Sequence, residues 1–122
     1  MVDTPNSCGA VINLSSVLCQ WPYPFEPVYS STKAFIDFFT RVLYLEHPQI
    51  DVLSLRPGYV STPLTTNLPT GGMVITPNMC ATAALAALGK CSYSNGHLIH
   101  RIFGFVFTSY IPLSVIKYFK KL

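Results

Sequence analysis

The sequence predicts an α/β domain in which parallel strands alternate with helices. Two short apolar runs, at residues 9–14 and 50–56, have the length and composition of buried strands. Between them, apolar residues recur every three or four positions over residues 29–46, which predicts a long helix that Pro48 stops. A strand, loop, helix and strand in this order favour a right-handed crossover between parallel strands. With 122 residues, of which 50% are hydrophobic, the chain supports one such domain.

The first strand is expected to be buried and to present its carboxyl end as a ligand-binding edge. Residues 17–28, which follow it, contain three prolines and three aromatic residues, a composition that argues against regular structure. This aromatic loop either lines an apolar substrate pocket or only packs its own side chains together.

Two further segments follow the second strand. Residues 59–70 have the composition of an active-site lid, and Gly71-Gly72 are placed to hinge it. Thr76 is predicted to cap a helix over the alanine-rich residues 78–88, with Pro77 at its first position.

Residues 102–116 are almost uninterruptedly apolar and aromatic. Because this run is shorter than the ~20 residues that span a bilayer as a helix, it favours an interfacial helix pair or a re-entrant anchor. The alternative is that it packs back onto the rest of a larger protein. We therefore divide the chain into residues 1–96, which form the α/β domain, and an apolar, basic, helical tail at residues 97–122.

The net charge of +3 is distributed unevenly along the chain. All acidic residues lie at or before Asp51, whereas residues 52–122 carry only lysines and arginines among their charged side chains. That half suits an anionic membrane surface or a phosphate-bearing ligand, or else it is an ordinary surface with solvated lysines. No run of basic and aromatic residues has the spacing of a nucleic-acid-binding segment, so no nucleic-acid partner is expected.

Cysteine and histidine spacing predicts neither a disulfide framework nor a metal centre. The cysteines form no C-x-x-C pair, so free thiols in a reducing compartment are expected. His97 and His100 have the spacing of a helical metal pair but lack further ligands in a recognisable pattern. The first residues lack the basic and apolar segments of a cleavable secretory signal. The four cysteines are Cys8, Cys19, Cys80 and Cys91.

Tyr29 and Lys33 form the constellation that points to a reaction. Four positions apart on a helix, their side chains project from one face into one site. A positive charge beside a phenol favours its phenolate, so Lys33 would help Tyr29 exchange a proton near neutral pH. Taken alone, the same spacing is also that of an ordinary helix-surface pair.

Together with its neighbours, this pair resembles the active site of the short-chain dehydrogenase/reductase family. Ser16 stands at a strand end 13 residues before Tyr29, as the family's catalytic serine usually does. Residues 56–62, Arg-Pro-Gly-Tyr-Val-Ser-Thr, are similar to the family's P-G-x-V-x-T turn, which contacts the nicotinamide end of the cofactor. The resemblance covers nearly the whole chain and implies the C-terminal portion of a Rossmann-like doubly wound parallel sheet with additional C-terminal helices.

The resemblance implies an NAD(P)-dependent ketone reductase, with NADPH the expected cofactor. Ser16, Tyr29 and Lys33 would be the catalytic residues. Tyr29 would protonate the developing alkoxide, while Ser16 would donate a hydrogen bond to the same oxygen. Lys33 would also hold the nicotinamide ribose. The implied cofactor-binding residues are Tyr29, Lys33, Pro57, Gly58, Val60 and Thr62.

Within the family, the chain looks closest to a membrane-bound branch. That branch contains the very-long-chain 3-oxoacyl-CoA reductases and the related 17β-hydroxysteroid dehydrogenases of the endoplasmic reticulum. It implies a lipid-like ketone substrate, either an acyl-CoA or a steroid, and an endoplasmic reticulum membrane location with a cytosol-facing active site. Membrane association through the tail and a homo-oligomer through the helix at residues 29–46 are expected. The supporting segments are Trp21-Pro22, Phe38-Phe39, residues 75–77, Asn95-Gly96 and the tail.

The chain departs from the family in its cofactor-binding half. It contains no G-x-x-x-G-x-G turn, no residue that would select the cofactor ribose and no upstream asparagine of the catalytic set. The N-terminal nucleotide-binding half is therefore expected to be missing, and the first strand to have an unpaired apolar edge. Two hypotheses follow: a catalytic fragment of a reductase, or a non-catalytic, membrane-associated remnant that cannot bind cofactor alone.

Overall fold

A three-stranded parallel sheet organises the fold. In the computed structural model, which describes residues 9–110, the strands β1 (Ala10–Leu14), β2 (Asp51–Leu55) and β3 (Tyr93–Ser94) lie in that order. β1 and β2 pair in register over their full length, from Ala10 opposite Asp51 to Leu14 opposite Leu55. The two predicted strands are confirmed to within one residue at each end, and β3, which is only two residues long, was not predicted.

Three α-helices accompany the sheet. Helix α1 (Pro27–Glu46) connects β1 to β2 and packs on both, α2 (Pro77–Ala87) precedes β3, and α3 (Leu98–Tyr110) follows it. The predicted cap of α2 is confirmed, since Thr76 Oγ1 accepts a hydrogen bond from the backbone N–H of Met79 at 3.2 Å. The α/β fold class predicted from the sequence is confirmed.

The prediction that residues 17–28 lack regular structure is wrong at both ends of the segment. Val17–Gln20 form a 3-10 helix that Ser16 caps, because its Oγ accepts from the backbone N–H of Leu18 at 3.2 Å. Helix α1 begins at Pro27, two residues earlier than expected, because a proline at the first helical position needs no hydrogen-bond acceptor.

The two longer strands differ in burial, and the expectation that the first strand is buried is wrong, whereas β2 is buried. Val52, Leu53 and Leu55 of β2 form the centre of the core. β1 lies at the edge of the described sheet, and its Leu14 side chain is 55% exposed. An unpaired apolar edge at the first strand is therefore present in the described part of the chain.

Helix α3 contacts the segment that follows β1. The ring of Trp21 stacks on Phe107 at 5.1 Å between ring centroids, and Phe103 lies 4.5 Å from Phe107 in the same cluster. Within residues 9–110, no helix combines the length and apolarity needed to cross a bilayer. The predictions for Cys8, for the amino-terminal residues and for the tail beyond Tyr110 lie outside the described residues.

Candidate active site

Two hydrogen bonds join the end of β1 to the second turn of α1. The Oγ of Ser15 donates to the backbone carbonyl of Lys33 at 2.7 Å. In the reverse direction, Lys33 Nζ donates to the backbone carbonyl of Leu14 at 2.8 Å. Because Ser15 is followed directly by Ser16, these bonds fix the position of the predicted catalytic serine relative to the helix that carries Tyr29.

Tyr29 and Lys33 lie next to each other on α1, as their spacing predicts. The ammonium nitrogen of Lys33 is 5.6 Å from the centroid of the Tyr29 ring, within the range of a cation–π contact. Tyr29 remains 37% exposed, so its phenol is accessible. The arrangement provides a proton donor with a fixed positive charge beside it.

Ser16 is buried, and its hydroxyl group has one partner among the described residues. Its Oγ accepts from the Leu18 N–H, which orients the oxygen without using its proton. A hydroxyl group can donate and accept at the same time, so the O–H of Ser16 is available to a ligand.

Ser16 and Tyr29 line one cleft, with a volume of about 530 Å³. Gly58, Tyr59 and residues of the segment that follows also line the cleft. Two aromatic residues of the predicted loop, Trp21 and Tyr23, also line the cleft, which favours the pocket-lining alternative for that loop. The remaining lining residues are mainly apolar: Val17, Leu18, Glu26, Leu64, Thr65, Thr66, Leu68, Met73, His100, Phe103 and Phe107.

A larger and more open depression, of about 810 Å³, lies between α2, β3 and α3. None of the predicted catalytic or cofactor-binding residues lines it. Because Ser16 and Tyr29 line the smaller cleft and not the larger depression, the smaller cleft is the candidate active site.

The predicted cofactor-binding residues occupy the turn after β2 and the segment beyond it. Pro57 is buried, and its carbonyl accepts from the Val17 N–H at 3.0 Å, which brings the turn beside Ser16. Val60 pairs with Ile75. The backbone N–H of Thr62 donates to a threonine hydroxyl three residues ahead at 3.0 Å. Of the predicted cofactor-binding residues, Tyr29 and Gly58 line the cleft, whereas Lys33, Pro57, Val60 and Thr62 do not.

A buried ion pair connects α1 to the same turn, and the sequence analysis did not identify it. Arg56 donates from Nε to Oδ1 of Asp37 at 2.6 Å and from Nη2 to Oδ2 at 2.7 Å. Ser54 Oγ donates to the same carboxylate at 2.6 Å, and the guanidinium group lies 3.9 Å from the ring of Tyr93. Two features of the sequence indicate this ion pair. Asp37 is an acidic residue four positions after Lys33 on an apolar helix, and Arg56 lies directly before Pro57.

His100 was weighed only as a metal ligand, yet it is 1% exposed and borders the cleft. Its ring is edge-on to that of His97, 6.5 Å between centroids, and no cluster of three or more metal-ligating side chains occurs within residues 9–110. Burial lowers the pKa of His100 from its ordinary value, against the opposing effect of a hydrogen bond to the Met73 backbone.

The described cysteines are free thiols, as predicted. Burial raises the pKa of both the Cys19 and the Cys80 thiol, which makes the reactive thiolate form rarer. These cysteines therefore do not suggest nucleophilic chemistry.

The chain matches the family model of the short chain dehydrogenases over residues 1–71. It is 37% identical over 118 residues to the very-long-chain 3-oxoacyl-CoA reductase-B of Danio rerio, an alignment that covers 95% of this chain and 37% of the relative. It is also 34% identical to the inactive hydroxysteroid dehydrogenase-like protein 1 of Pongo abelii, over 85% of this chain and 33% of that protein. The chain thus spans about a third of the length of these relatives.

Solved structures give the same result for the fold. A 7beta-hydroxysteroid dehydrogenase has a TM-score of 0.78 and 26% identity, covering 93% of this chain and 48% of that one. A short chain dehydrogenase from Burkholderia cenocepacia in complex with NADP has a TM-score of 0.70 and 25% identity, covering 84% and 45%. The described structure is thus part of a Rossmann-type fold, and the chain belongs to the short-chain dehydrogenase family, in the branch of the very-long-chain 3-oxoacyl-CoA reductases.

Proposed function

We propose that this chain carries the proton-transfer half of an NAD(P)-dependent ketone reductase that acts on 3-oxoacyl-CoA or a similar lipid-like ketone. The observation that carries this proposal is the placement of Ser16 and Tyr29 on one cleft, with the ammonium group of Lys33 held 5.6 Å from the Tyr29 ring. Membership of a family of oxidoreductases supports it.

In the proposed mechanism, Tyr29 donates its phenolic proton to the ketone oxygen as the carbonyl π bond breaks. Ser16 donates a hydrogen bond to the same oxygen and stabilises the negative charge that develops there. Lys33 stabilises the phenolate that Tyr29 becomes, and its bond to the Leu14 carbonyl holds the ammonium group in place. The bound nicotinamide would supply the hydride to the carbonyl carbon.

The residues of the turn fit the nicotinamide end of such a cofactor. Gly58 lines the same cleft as Ser16 and Tyr29, while the space that a Cβ atom would fill at Gly58 is occupied by the ring of His100. Tyr29, Lys33, Pro57, Gly58, Val60 and Thr62 would hold this end, and we propose NADPH over NAD. The relative solved with NADP supports a nicotinamide cofactor in general.

The lining of the cleft supports an apolar substrate. Trp21, Phe103 and Phe107 form an aromatic cluster in the lining, which also includes Leu64 and Leu68. We propose a 3-oxoacyl-CoA because the relatives carry that substrate in their names, and a 17-ketosteroid as the alternative within the same mechanism.

We further propose that the protein works at the endoplasmic reticulum membrane, with its active site facing the cytosol. An exposed apolar face of α3 supports this, because Leu98, Ile102 and Phe105 are exposed on that helix together with Arg101. Exposed Phe35, Phe38 and Leu45 on α1 support the proposed contact with a second copy of the chain.

A chimera tests the catalytic proposal. This chain replaces the matched segment of the Danio rerio reductase-B, and consumption of NADPH is measured with a 3-oxoacyl-CoA. We expect activity, and a loss of at least about a hundredfold in kcat for Tyr29→Phe, in line with removal of a general acid. Tyr44→Phe is the matched control, since Tyr44 is a similarly exposed tyrosine on the same helix. Equal loss in both variants, or full activity in Tyr29→Phe, would show that the proposal is wrong.

A non-catalytic role is the second candidate, and the similarity to a relative named as inactive favours it. A thermal shift with NADPH separates the two. If the 122-residue chain shows no shift while the chimera shows a shift and also reduces substrate, the residues are competent for catalysis but the chain alone does not bind the cofactor. If the chimera neither binds NADPH nor reduces substrate, the non-catalytic role stands.

A further inference from the structure

His100 lies where α3 meets two other segments that border the cleft. Its Nε2 is 3.0 Å from the backbone carbonyl of Met73. Since a carbonyl only accepts, Nε2 donates in this contact, and we assign the ring the Nε2–H tautomer. Nδ1 is buried and has no hydrogen-bond partner within residues 9–110.

The same ring lies against the turn after β2. A Cβ atom added to Gly58 would be 2.9 Å from Cδ2 and 3.1 Å from Nε2 of His100, which is closer than real side chains approach. The glycine therefore allows the imidazole ring to rest directly on the backbone of the turn, and the ring in turn blocks that backbone from moving toward α3.

We define the flap as residues 59–75. Met73 lies near its C-terminal end. The backbone closes the flap at its base, where Ser61 N–H donates to Ile75 O at 2.9 Å and Ile75 N–H donates to Tyr59 O at 3.1 Å. Met73 sits in the tight turn in which Gly71 and Val74 exchange backbone hydrogen bonds at 2.9 and 3.0 Å. His100 thus contacts the residue before the flap and a residue near its end.

The surroundings of the ring favour its neutral form. Burial lowers the pKa of His100 and His97 acts in the same direction, while the backbone groups of Met73 and Tyr59 act against them. The other titratable groups on the cleft are Glu26 and the phenols of Tyr23, Tyr29 and Tyr59. Nδ1 makes no hydrogen bond within residues 9–110, and burial opposes a proton added there.

We propose that His100 is a positioning residue that holds both ends of the flap against the Pro57-Gly58 turn and so sets the shape of the substrate side of the cleft. This inference rests on the proposed function for its kinetic consequence. Its structural consequence is that the backbone hydrogen bonds of Ser61 and Ile75 at the base of the flap stay formed, and this consequence does not depend on catalysis. Ser16 and Tyr29 line the same cleft as His100, but none of Ser16, Tyr29 and Lys33 makes a hydrogen bond to His100 among the described residues, so we expect their chemistry to be retained when the ring is replaced.

The first test follows hydrogen exchange of the Ser61 and Ile75 amides in the full chain by NMR. His100→Leu keeps an apolar side chain of similar reach without a donor, and His100→Gln restores an N–H donor. We expect exchange at both amides to accelerate roughly threefold to tenfold in His100→Leu, the range that one hydrogen bond supports, with partial recovery in His100→Gln. His47→Gln, at the far end of α1, is the matched control and should leave both rates unchanged.

The second test uses the same variants in the chimera. His100→Leu should raise KM for the ketone by a similar factor and leave kcat within about twofold, with recovery in His100→Gln. Altered exchange in a chimera that does not reduce substrate would support the positioning role and refute the proposed function. Unchanged exchange at Ser61 and Ile75 would overturn the positioning role, whatever the activity.

A measurement on the unaltered chain covers the case in which the variants do not fold. The nitrogen-15 shifts of the imidazole ring at neutral pH report the tautomer directly. The Nε2–H form, persisting below the ordinary pKa of histidine, supports the proposal. An Nδ1–H tautomer or a doubly protonated ring would overturn it.

Discussion

Asp37 and Arg56 form a buried, bidentate ion pair, with N–O distances of 2.6 and 2.7 Å. Asp37 is one helical turn beyond Lys33 on α1, and Arg56 directly precedes the Pro57-Gly58 turn. The pair therefore fixes the helix of the proton donor relative to the turn that we assign to the cofactor.

We expect Asp37→Ala to lower the free energy of unfolding by about 3–5 kcal/mol, because it leaves the guanidinium group of Arg56 buried without a counter-charge. Urea unfolding measures this. Glu46→Ala, at the exposed end of the same helix, is the control and should change the value by less than about 0.5 kcal/mol. A combined Asp37→Leu and Arg56→Met variant should recover most of the loss. If Asp37→Ala has the same free energy of unfolding as the control variant, solvent compensates the charge of Arg56 and the ion pair does not fix the position of α1.

Lys33→Met should reduce kcat of the chimera by at least about a hundredfold, because the phenolate left by proton transfer loses its neighbouring charge. The substitution also removes the hydrogen bond from Lys33 Nζ to the Leu14 carbonyl, so the measured loss of kcat includes any effect of a displaced β1. Lys90→Met, at an exposed site beyond α2, is the control. A Lys33→Met enzyme that retains its kcat would remove Lys33 from the mechanism.

The stability of the chain should depend on pH through His100. Because burial lowers its pKa in the folded state, the unfolded chain binds the proton more readily. The neutral ring thus contributes to the free energy of unfolding above the unfolded pKa of about 6.5, and this contribution is lost as the pH falls toward the lowered folded pKa. Denaturant unfolding between about pH 7.5 and 5.5 should show the decline in the unaltered chain. His100→Gln should flatten that part of the profile and His47→Gln should not; the reverse pattern would contradict the assignment.

The exposed apolar face of α3 should bind lipid. We expect the chain to float with vesicles that contain phosphatidylserine, and a combined Ile102→Glu and Phe105→Glu variant to lose most of that binding. Leu85→Glu, a similarly exposed leucine on α2, is the matched control. Retained flotation of the double variant would place any membrane contact elsewhere in the protein.

The sequence predicted the elements whose signals are local. Pro48, Thr76 and Pro77 mark helix ends through their own backbone chemistry, and the two longer strands follow from apolar runs. Tyr29 and Lys33 were predicted to be neighbours because helical spacing alone brings them together.

The features that the sequence analysis missed depend on contacts between distant segments. The two residues of β3 carry no periodic pattern, since only the neighbouring β2 makes them a strand. Asp37 meets Arg56 across 19 positions, and His100 meets Met73 across 27. β1 has the composition of a buried strand, but its burial depends on a neighbour on its other side.

The bond from Lys33 to Leu14 links the ammonium group of the proposed catalytic lysine to the strand that forms the open edge of the described sheet. A strand added along β1 would restrain the very residue whose carbonyl group holds this ammonium. Completion of the sheet would then also stabilise the position of the proposed proton donor. In a reductase assembled from two separately made pieces, the strand along which the pieces join would accordingly also be the strand that supports the lysine.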